Sequence, residues 1–183
     1  VTELPLQIDS SDPAACEEAM LLYHGVPLLN SVSGKEESLR TLLPLLQKYG
    51  GGAVALLLDD NGIPKSAKER LAVADKIIAR AAQYGIKKER LLFDPLALTV
   101  STGAENAEIT LATLRALTRR GYKSVLGVSN VSFGMPNRPL LGSVFLARAM
   151  ECGLSAAIIN PQSPEMQAIL AAYRALRGSE TGI

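Results

Sequence analysis

The sequence predicts an α/β fold of repeated strand–helix units, closing in the manner of a (β/α)8 barrel. Three observations predict it. Six short apolar runs alternate with longer segments of helical periodicity. Gly25, Gly50, Gly85, Gly121 and Gly153 each stand where a helix must stop, and a strand-like run follows each within a few residues. Every apolar run gives way to Asp, Asn or Ser.

The elements follow in order. Leu4–Ile8 leads through Asp9-Ser10-Ser11 into a helix over Pro13–Tyr23, with Asp12 as cap and Pro13 at its first position. Val26–Leu29 ends in Asn30-Ser31, and the next helix covers Lys35–Tyr49. Ala53–Leu58 ends in Asp59-Asp60-Asn61 and precedes a helix over Ser66–Tyr84. Leu91–Phe93 ends in Asp94, with a helix over Ala104–Arg120 to follow. Ser124–Val128 breaks into Ser129-Asn130 before the helix Leu140–Cys152. Ala156–Ile159 ends in Asn160, and Ser163-Pro164 opens the last helix, Pro164–Leu176. The runs are nearly continuous in apolarity, as parallel strands covered on both faces must be. Gly50-Gly51-Gly52 reads as a flexible turn at the foot of the third strand.

The strand tips decide between architectures. An open doubly wound sheet gathers ligands only at its switch point, whereas a closed barrel rings one mouth with all its carboxyl ends. Asp, Asn and Ser after a strand are also common caps and turn formers, and at any one position that explanation stands beside the ligand one. Asp9, Asn30, Asp94 and Asn130 precede their helices by several residues, too early to cap them. A barrel has eight units. The six present predict one domain over residues 1–183, units three to eight of a barrel, with the first two deleted, disordered or encoded elsewhere. An open six-stranded sheet is the alternative, and it leaves two edges to cover.

Composition narrows the chemistry. The chain has 183 residues, 48% hydrophobic and 20% charged, with few aromatics and no Trp, which suits helices packed on small, tightly filled strands. A net charge of +1 leaves no footprint for nucleic acid or an anionic membrane. No apolar run approaches the roughly 20 residues of a membrane span. No basic region leads into a short apolar one as in a signal peptide. The chain opens without Met almost directly into a strand, which predicts further sequence upstream. Cys16 and Cys152 fit two buried thiols of a reduced cytoplasmic protein. His24 is the only histidine and sits at a helix end, so no metal constellation is present, an all-oxygen ring would suit only a hard cation, and no Ser-His-Asp arrangement can be built at the mouth. Lys35 is the only lysine near the tips, which disfavours a Schiff-base barrel, and no P-loop is present.

A polar cup of Asp and Asn remains, with Arg138 just beyond the fifth strand. A carboxylate accepting two parallel N–H bonds and a carboxamide donating beside an acceptor suit a flat heterocycle of alternating donors and acceptors. Arg138 either meets a ligand carboxylate or pins its own loop.

The segments "LQIDSS", "LLNSVSG", "LLLDDNGIP", "LLFDPLALTVSTG", "VLGVSNVSFGMPNR" and "AAIINP" resemble, in order and over essentially the whole chain, the pterin-binding barrel of methyltetrahydrofolate:corrinoid methyltransferases. That family includes the corrinoid/iron–sulfur protein methyltransferases and the folate domain of cobalamin-dependent methionine synthase. The resemblance implies a barrel of the dihydropteroate synthase-like type. It implies that Asp9, Asn30 and Asp94 hydrogen-bond the pterin, that Asn130 faces the methyl-bearing N5, and that Arg138 lies close to the folate. It implies transfer of the N5 methyl of 5-methyltetrahydrofolate to the Co(I) of a corrinoid (cobalamin-type) cofactor carried by a partner protein. The proton for N5 is expected from ordered water or the pterin itself, and a cytoplasmic homodimer is expected. The family's other pterin contacts belong to its first two units, and Gly142 stands where Asn is expected. The alternatives are a non-catalytic or truncated pterin-binding module and dihydropteroate synthase. The latter's glycine-rich loop after Asp-Pro is missing from "DPLALTV".

Overall fold

Every strand of the structure pairs in parallel, and each is followed by a helix. The computed structural model describes residues 4–178. In chain order the elements are β1 (Gln7–Asp9), α1 (Pro13–Leu22), β2 (Leu28–Ser33), α2 (Glu36–Tyr49), β3 (Gly52–Leu56), α3 (Ala67–Gln83), β4 (Leu91–Asp94), α4 (Glu105–Arg119), β5 (Val125–Gly127), α5 (Arg138–Glu151), β6 (Ala156–Ile158) and α6 (Pro164–Leu176). Short 3-10 turns cover Lys88–Arg90 and Val128–Ser132. The chain forms two compact units. One carries the sheet β1-β2-β3-β4, runs to Asp94 and takes in Gly121–Lys123; the other carries the pair β5-β6, with Pro95–Arg120 and the chain from Ser124 onward.

In the first unit the central strand β3 is buried on both faces, while β1 at the edge is half-buried to exposed. Ala53, Val54 and Ala55 of β3 are all fully buried, so small side chains let helices approach closely. The helix α2 turns Leu39, Leu42, Leu43 and Leu46 inward at the three- and four-residue spacing of one face. Lys35 at its start supplies no side-chain cap; the Asp60 carboxylate accepts the Glu36 N–H at 3.3 Å instead, and Glu36 and Glu37 in the first turn offset the exposed N–H groups electrostatically. Ser66 caps α3, accepting the Glu69 N–H at 3.2 Å and donating to the Glu69 carboxylate at 2.8 Å. Beyond β4 the Phe93 N–H donates to the Lys123 carbonyl at 2.9 Å, and the Phe93 and Tyr122 rings lie 5.3 Å apart.

The second unit packs Leu111 and Leu114 of α4 with Leu126 of β5 and Phe145, Leu146 and Ala149 of α5. The Thr118 hydroxyl donates to the Cys152 carbonyl at 3.0 Å and ties α4 to the end of α5. The caps expected from the sequence are present: Asp12 accepts from the Ala14 N–H at 2.9 Å, and Ser163 accepts from the Met166 N–H. Cys16 and Cys152 are buried free thiols. Among the described residues no helix is long and apolar enough to cross a membrane.

Three local readings change. The second strand does not stop at Leu29 but runs through Asn30 to Ser33, because its ladder to β3 resumes after a register shift between Asn30 and Val32. The helix α5 begins at Arg138, two residues before Leu140, with Asn137 in the left-handed conformation at its start. Gly50-Gly51-Gly52 is no flexible turn. The Gly52 N–H donates to the Pro27 carbonyl at 2.9 Å, Arg90 donates to the Gly51 carbonyl, and a Cβ on Gly51 would run into the Pro27 carbonyl oxygen.

These two glycines, Gly50 and Gly51, make a controlled comparison. Both have positive φ, but nothing lies within 4 Å of a Cβ on Gly50. Gly50 lies at φ 84° and ψ −159°, a region all but reserved for glycine, so Gly50→Ala should lose roughly 1–3 kcal/mol from backbone strain alone. Gly51→Ala should lose clearly more, because backbone must move. Urea unfolding of the two variants checks this, and equal losses would refute the close-approach reading.

Candidate functional site

The register places three predicted residues on one face of the four-stranded sheet. Asp9 pairs with Asn30, Asn30 with Val54, and Val54 with Leu92. Paired residues in a parallel ladder point the same way, and side chains two apart along a strand share a face. Asp94 lies two residues beyond Leu92 on β4 and pairs with Leu56, two residues beyond Val54. Asp9, Asn30 and Asp94 therefore project from the same side, near the carboxyl ends. With strands about 4.8 Å apart, Asp9 and Asp94 are separated by roughly 14 Å along the sheet, the reach of a fused bicyclic ring and its flanking hydrogen bonds.

Their surroundings differ. Asp9 is exposed and Asn30 half-buried, and neither side chain makes a hydrogen bond among the described residues. Asp94 is only 8% exposed. Its carbonyl accepts the Leu57 N–H at 3.0 Å, which continues the ladder past the end of β3. The fully buried Arg70 of α3 lies within electrostatic reach of its carboxylate. Burial lowers the Arg70 pKa from the usual arginine value, and the Asp94 charge opposes that shift. The sequence reading missed Arg70, although a signal was there. It occupies the first position of the stripe Arg70, Val73, Ala74, Ile77, Ala81 that α3 buries, where a helix-periodic pattern calls for an apolar side chain.

The other polar tips divide into two kinds. Asp59 accepts the Asn61 N–H at 2.8 Å and pairs with Gly62, while Asn160 accepts the Gln162 N–H at 3.0 Å. Both close local turns, the ordinary use of these residues. A cleft of about 380 Å³ in the first unit is lined by Ser31, Ser33 and Lys35, and by none of Asp9, Asn30 or Asp94.

In the second unit Asn130 sits at the centre of the 3-10 turn that follows β5. It is exposed, and its carboxamide makes no hydrogen bond among the described residues. Its Nδ2 lies 3.1 Å from where a Cβ on Gly127 would stand, so the glycine makes room for the amide. The loop beyond is fastened at several points. The Phe133 carbonyl accepts from the hydroxyls of Thr99 and Ser101, the latter at 3.1 Å, and the Val100 N–H donates to the Val131 carbonyl at 2.9 Å. Asn106 donates to the Thr99 carbonyl at 2.8 Å and fixes the first of these hydroxyls in turn. Arg138 donates to the Ser129 carbonyl at 3.3 Å, with its guanidinium 5.4 Å from the centre of the Phe133 ring. Of the two roles open to Arg138, the structure shows the loop-pinning one. Beside it a cleft of about 410 Å³ is lined by Ser129, Ser132, Arg138, Gly142, Asn160 and Met166, among others. A Cβ on Gly142 would stand 2.9 Å from the Met166 Cε, so the expected Asn would displace that side chain.

Residues 1–160 match the family described as pterin binding enzyme, and the chain belongs to that family. Within it the sequence is similar to the methylcorrinoid:tetrahydrofolate methyltransferase of Eubacterium limosum, 30% identical over 97% of this chain and 67% of that protein. It is equally 30% identical to the methionine synthase of Mycobacterium tuberculosis, over 86% of this chain and 14% of that protein. The chain thus spans about two thirds of the first relative and a small part of the second. Among solved structures, dihydropteroate synthase from Xanthomonas albilineans in complex with 7,8-dihydropteroate matches with a TM-score of 0.75 and 19% identity, over 96% of this chain and 70% of that one. The dihydropteroate synthase of Thermus thermophilus in complex with 4-aminobenzoate matches with a TM-score of 0.71 and 20% identity, over 94% of this chain and 71% of that one. At those identities the likeness is one of fold: α/β, of the barrel type expected from the strand tips and their motifs.

Removing both hydroxyls that hold the Phe133 carbonyl, in Thr99→Val with Ser101→Ala, should loosen the loop without unfolding the unit. Two lost hydrogen bonds correspond to exchange roughly tenfold faster or more at the amides of residues 130–134. Native-state hydrogen exchange measures it, and protection unchanged there would show that the hydroxyls do not hold the loop.

Proposed function

We propose that this chain, acting as one pterin-binding domain over residues 1–183, transfers a methyl group between N5 of tetrahydrofolate and the cobalt of a corrinoid held by a partner protein. The observation that carries the reading is the placement of Asp9, Asn30 and Asp94 on one sheet face at the strand ends, two of them with uncommitted side chains. Their roles toward the pterin, and that of Asn130 toward N5, are proposals that follow from the resemblance of their motifs. The methyltransferase relatives favour this chemistry over pteroate synthesis. The reading includes a cytoplasmic homodimer.

The step is a displacement in line. The Co(I) lone pair attacks the methyl carbon, a Co–C bond forms, the C–N5 bond breaks and its electron pair stays on N5. A tertiary amine is a poor leaving group, so N5 takes a proton or a strong hydrogen bond by the transition state. The Asn130 carboxamide, carried on the 3-10 turn, donates to that lone pair as it develops, and so binds the transition state better than the substrate. The E. limosum relative's name writes the transfer from methylcorrinoid to tetrahydrofolate. One transition state serves both directions, so Asn130 does the same work in either. Asp94, as a carboxylate, accepts the paired N–H groups of the ring edge. Arg138 stands near the folate while holding its own loop.

Asn130→Ala should cut single-turnover methyl transfer by roughly 100-fold or more, as loss of one transition-state donor does, while weakening 5-methyltetrahydrofolate binding far less. A loss in affinity alone would sink the transition-state role. Asp94→Asn should weaken equilibrium binding by about 1–3 kcal/mol. Calorimetry reads this directly, and unchanged affinity would count against the pterin site. Binding that responds to Asp94 with no transfer to Co(I) cobalamin would favour a non-catalytic pterin-binding module.

A further inference from the structure

Arg70 is fully buried, at 0% exposure, in a stripe that is otherwise apolar. A guanidinium is almost never sealed in this way without a partner. Its Nε donates to the Pro64 carbonyl at 3.1 Å, which fixes the plane of the group from the loop that leads into α3. Asp94, itself nearly buried, is the carboxylate that acts on it. The other carboxylate close by is Asp59, three residues past the Leu56 that pairs with Asp94 and in one cleft with Val73 of α3, and its side chain accepts the Asn61 N–H. Gly52–Leu56 of β3, Leu91–Phe93 of β4 and Pro95-Leu96-Ala97 beyond it carry no titratable side chain. On α3 the flanking Glu69 is engaged with Ser66.

We propose that Arg70 is a positioning residue for ligand binding: its buried guanidinium keeps the Asp94 carboxylate ionised and turned so that it accepts the ring N–H groups of the pterin. The role rests on the pterin reading above. A nearly buried carboxyl left alone takes up a proton, because burial disfavours the charged form. Once protonated it presents an O–H to the ring's N–H groups, and donor then faces donor. A cation sealed beside it prevents this, and water exclusion strengthens the attraction. Guanidinium suits the task because it stays charged when buried, whereas a lysine ammonium readily loses its proton there.

The test reads Asp94 before it reads the ligand. Carbon-13 NMR of the full chain, with Asp94→Asn to assign the signal, should show no titration of the Asp94 carboxyl between about pH 5 and pH 8. In Arg70→Gln the titration should move up into that window, and 5-methyltetrahydrofolate affinity should fall about tenfold one pH unit below the new midpoint and recover above it. Arg70→Lys should restore part of both. An Asp94 that titrates in that window in the unaltered chain overturns the proposal even if Arg70→Gln fails to fold. So does a folded Arg70→Gln in which the titration stays put. These results leave the pterin reading standing. An Asp94 that follows Arg70 as stated in a chain that binds no 5-methyltetrahydrofolate overturns the pterin reading, and the positioning role with it.

Discussion

Parallel pairing is the constraint on which everything else in this molecule depends. A parallel strand cannot turn directly into its neighbour, so each strand here is followed by a helix that carries the chain back. All carboxyl ends in a sheet then lie on one side, and side chains of matched register share a face. Asp9, Asn30 and Asp94 are far apart in sequence, yet three ladder registers are enough to align them. The same constraint buries β3, inside the sheet, on both faces, which is why it is reduced to Gly-Ala-Val-Ala-Leu.

What the sequence made legible was the alternation, because helical periodicity and helix-ending glycines are local signals. The polar tips were legible as a set, but their division was not. Asp59 and Asn160 follow an apolar run in the sequence just as Asp9 and Asn130 do, and they are the same residue types. Only the hydrogen bonds to Asn61 and Gln162 separate turn-closing tips from uncommitted ones. The end of β2 was misjudged because Asn30, Ser31 and Ser33 look like a loop by composition, while the ladder to β3 keeps them in the strand. Gly51 was misread for a related reason: a run of glycine signals freedom locally, and the Pro27 carbonyl that fills the space comes from a distant segment. Arg70 was legible in principle, as a charge in an apolar stripe, but its consequence depends on Asp94, which belongs to another element.

The two uncommitted carboxamides are held in contrasting ways. Asn30 stands within a strand, next to a register shift of the kind that re-aims a side chain. Asn130 stands on a single 3-10 turn whose stiffness comes from outside it, through Thr99, Val100 and Ser101. A strand position is precise because the ladder supports it. A turn position needs neighbours to supply the precision, and the segment after β4 supplies them.

That dependence makes the segments 95–104 and 128–134 one inherited part rather than two. Residues in one read the backbone of the other, and a carbonyl held by two foreign hydroxyls does not tolerate a change of length or chirality in either partner. Recombination that exchanges a single segment with a relative should therefore yield a sequence that is native at every position and mismatched at the seam. Natural variation is expected to have kept the pair together, and a chimaera is sound only when both segments come from one parent.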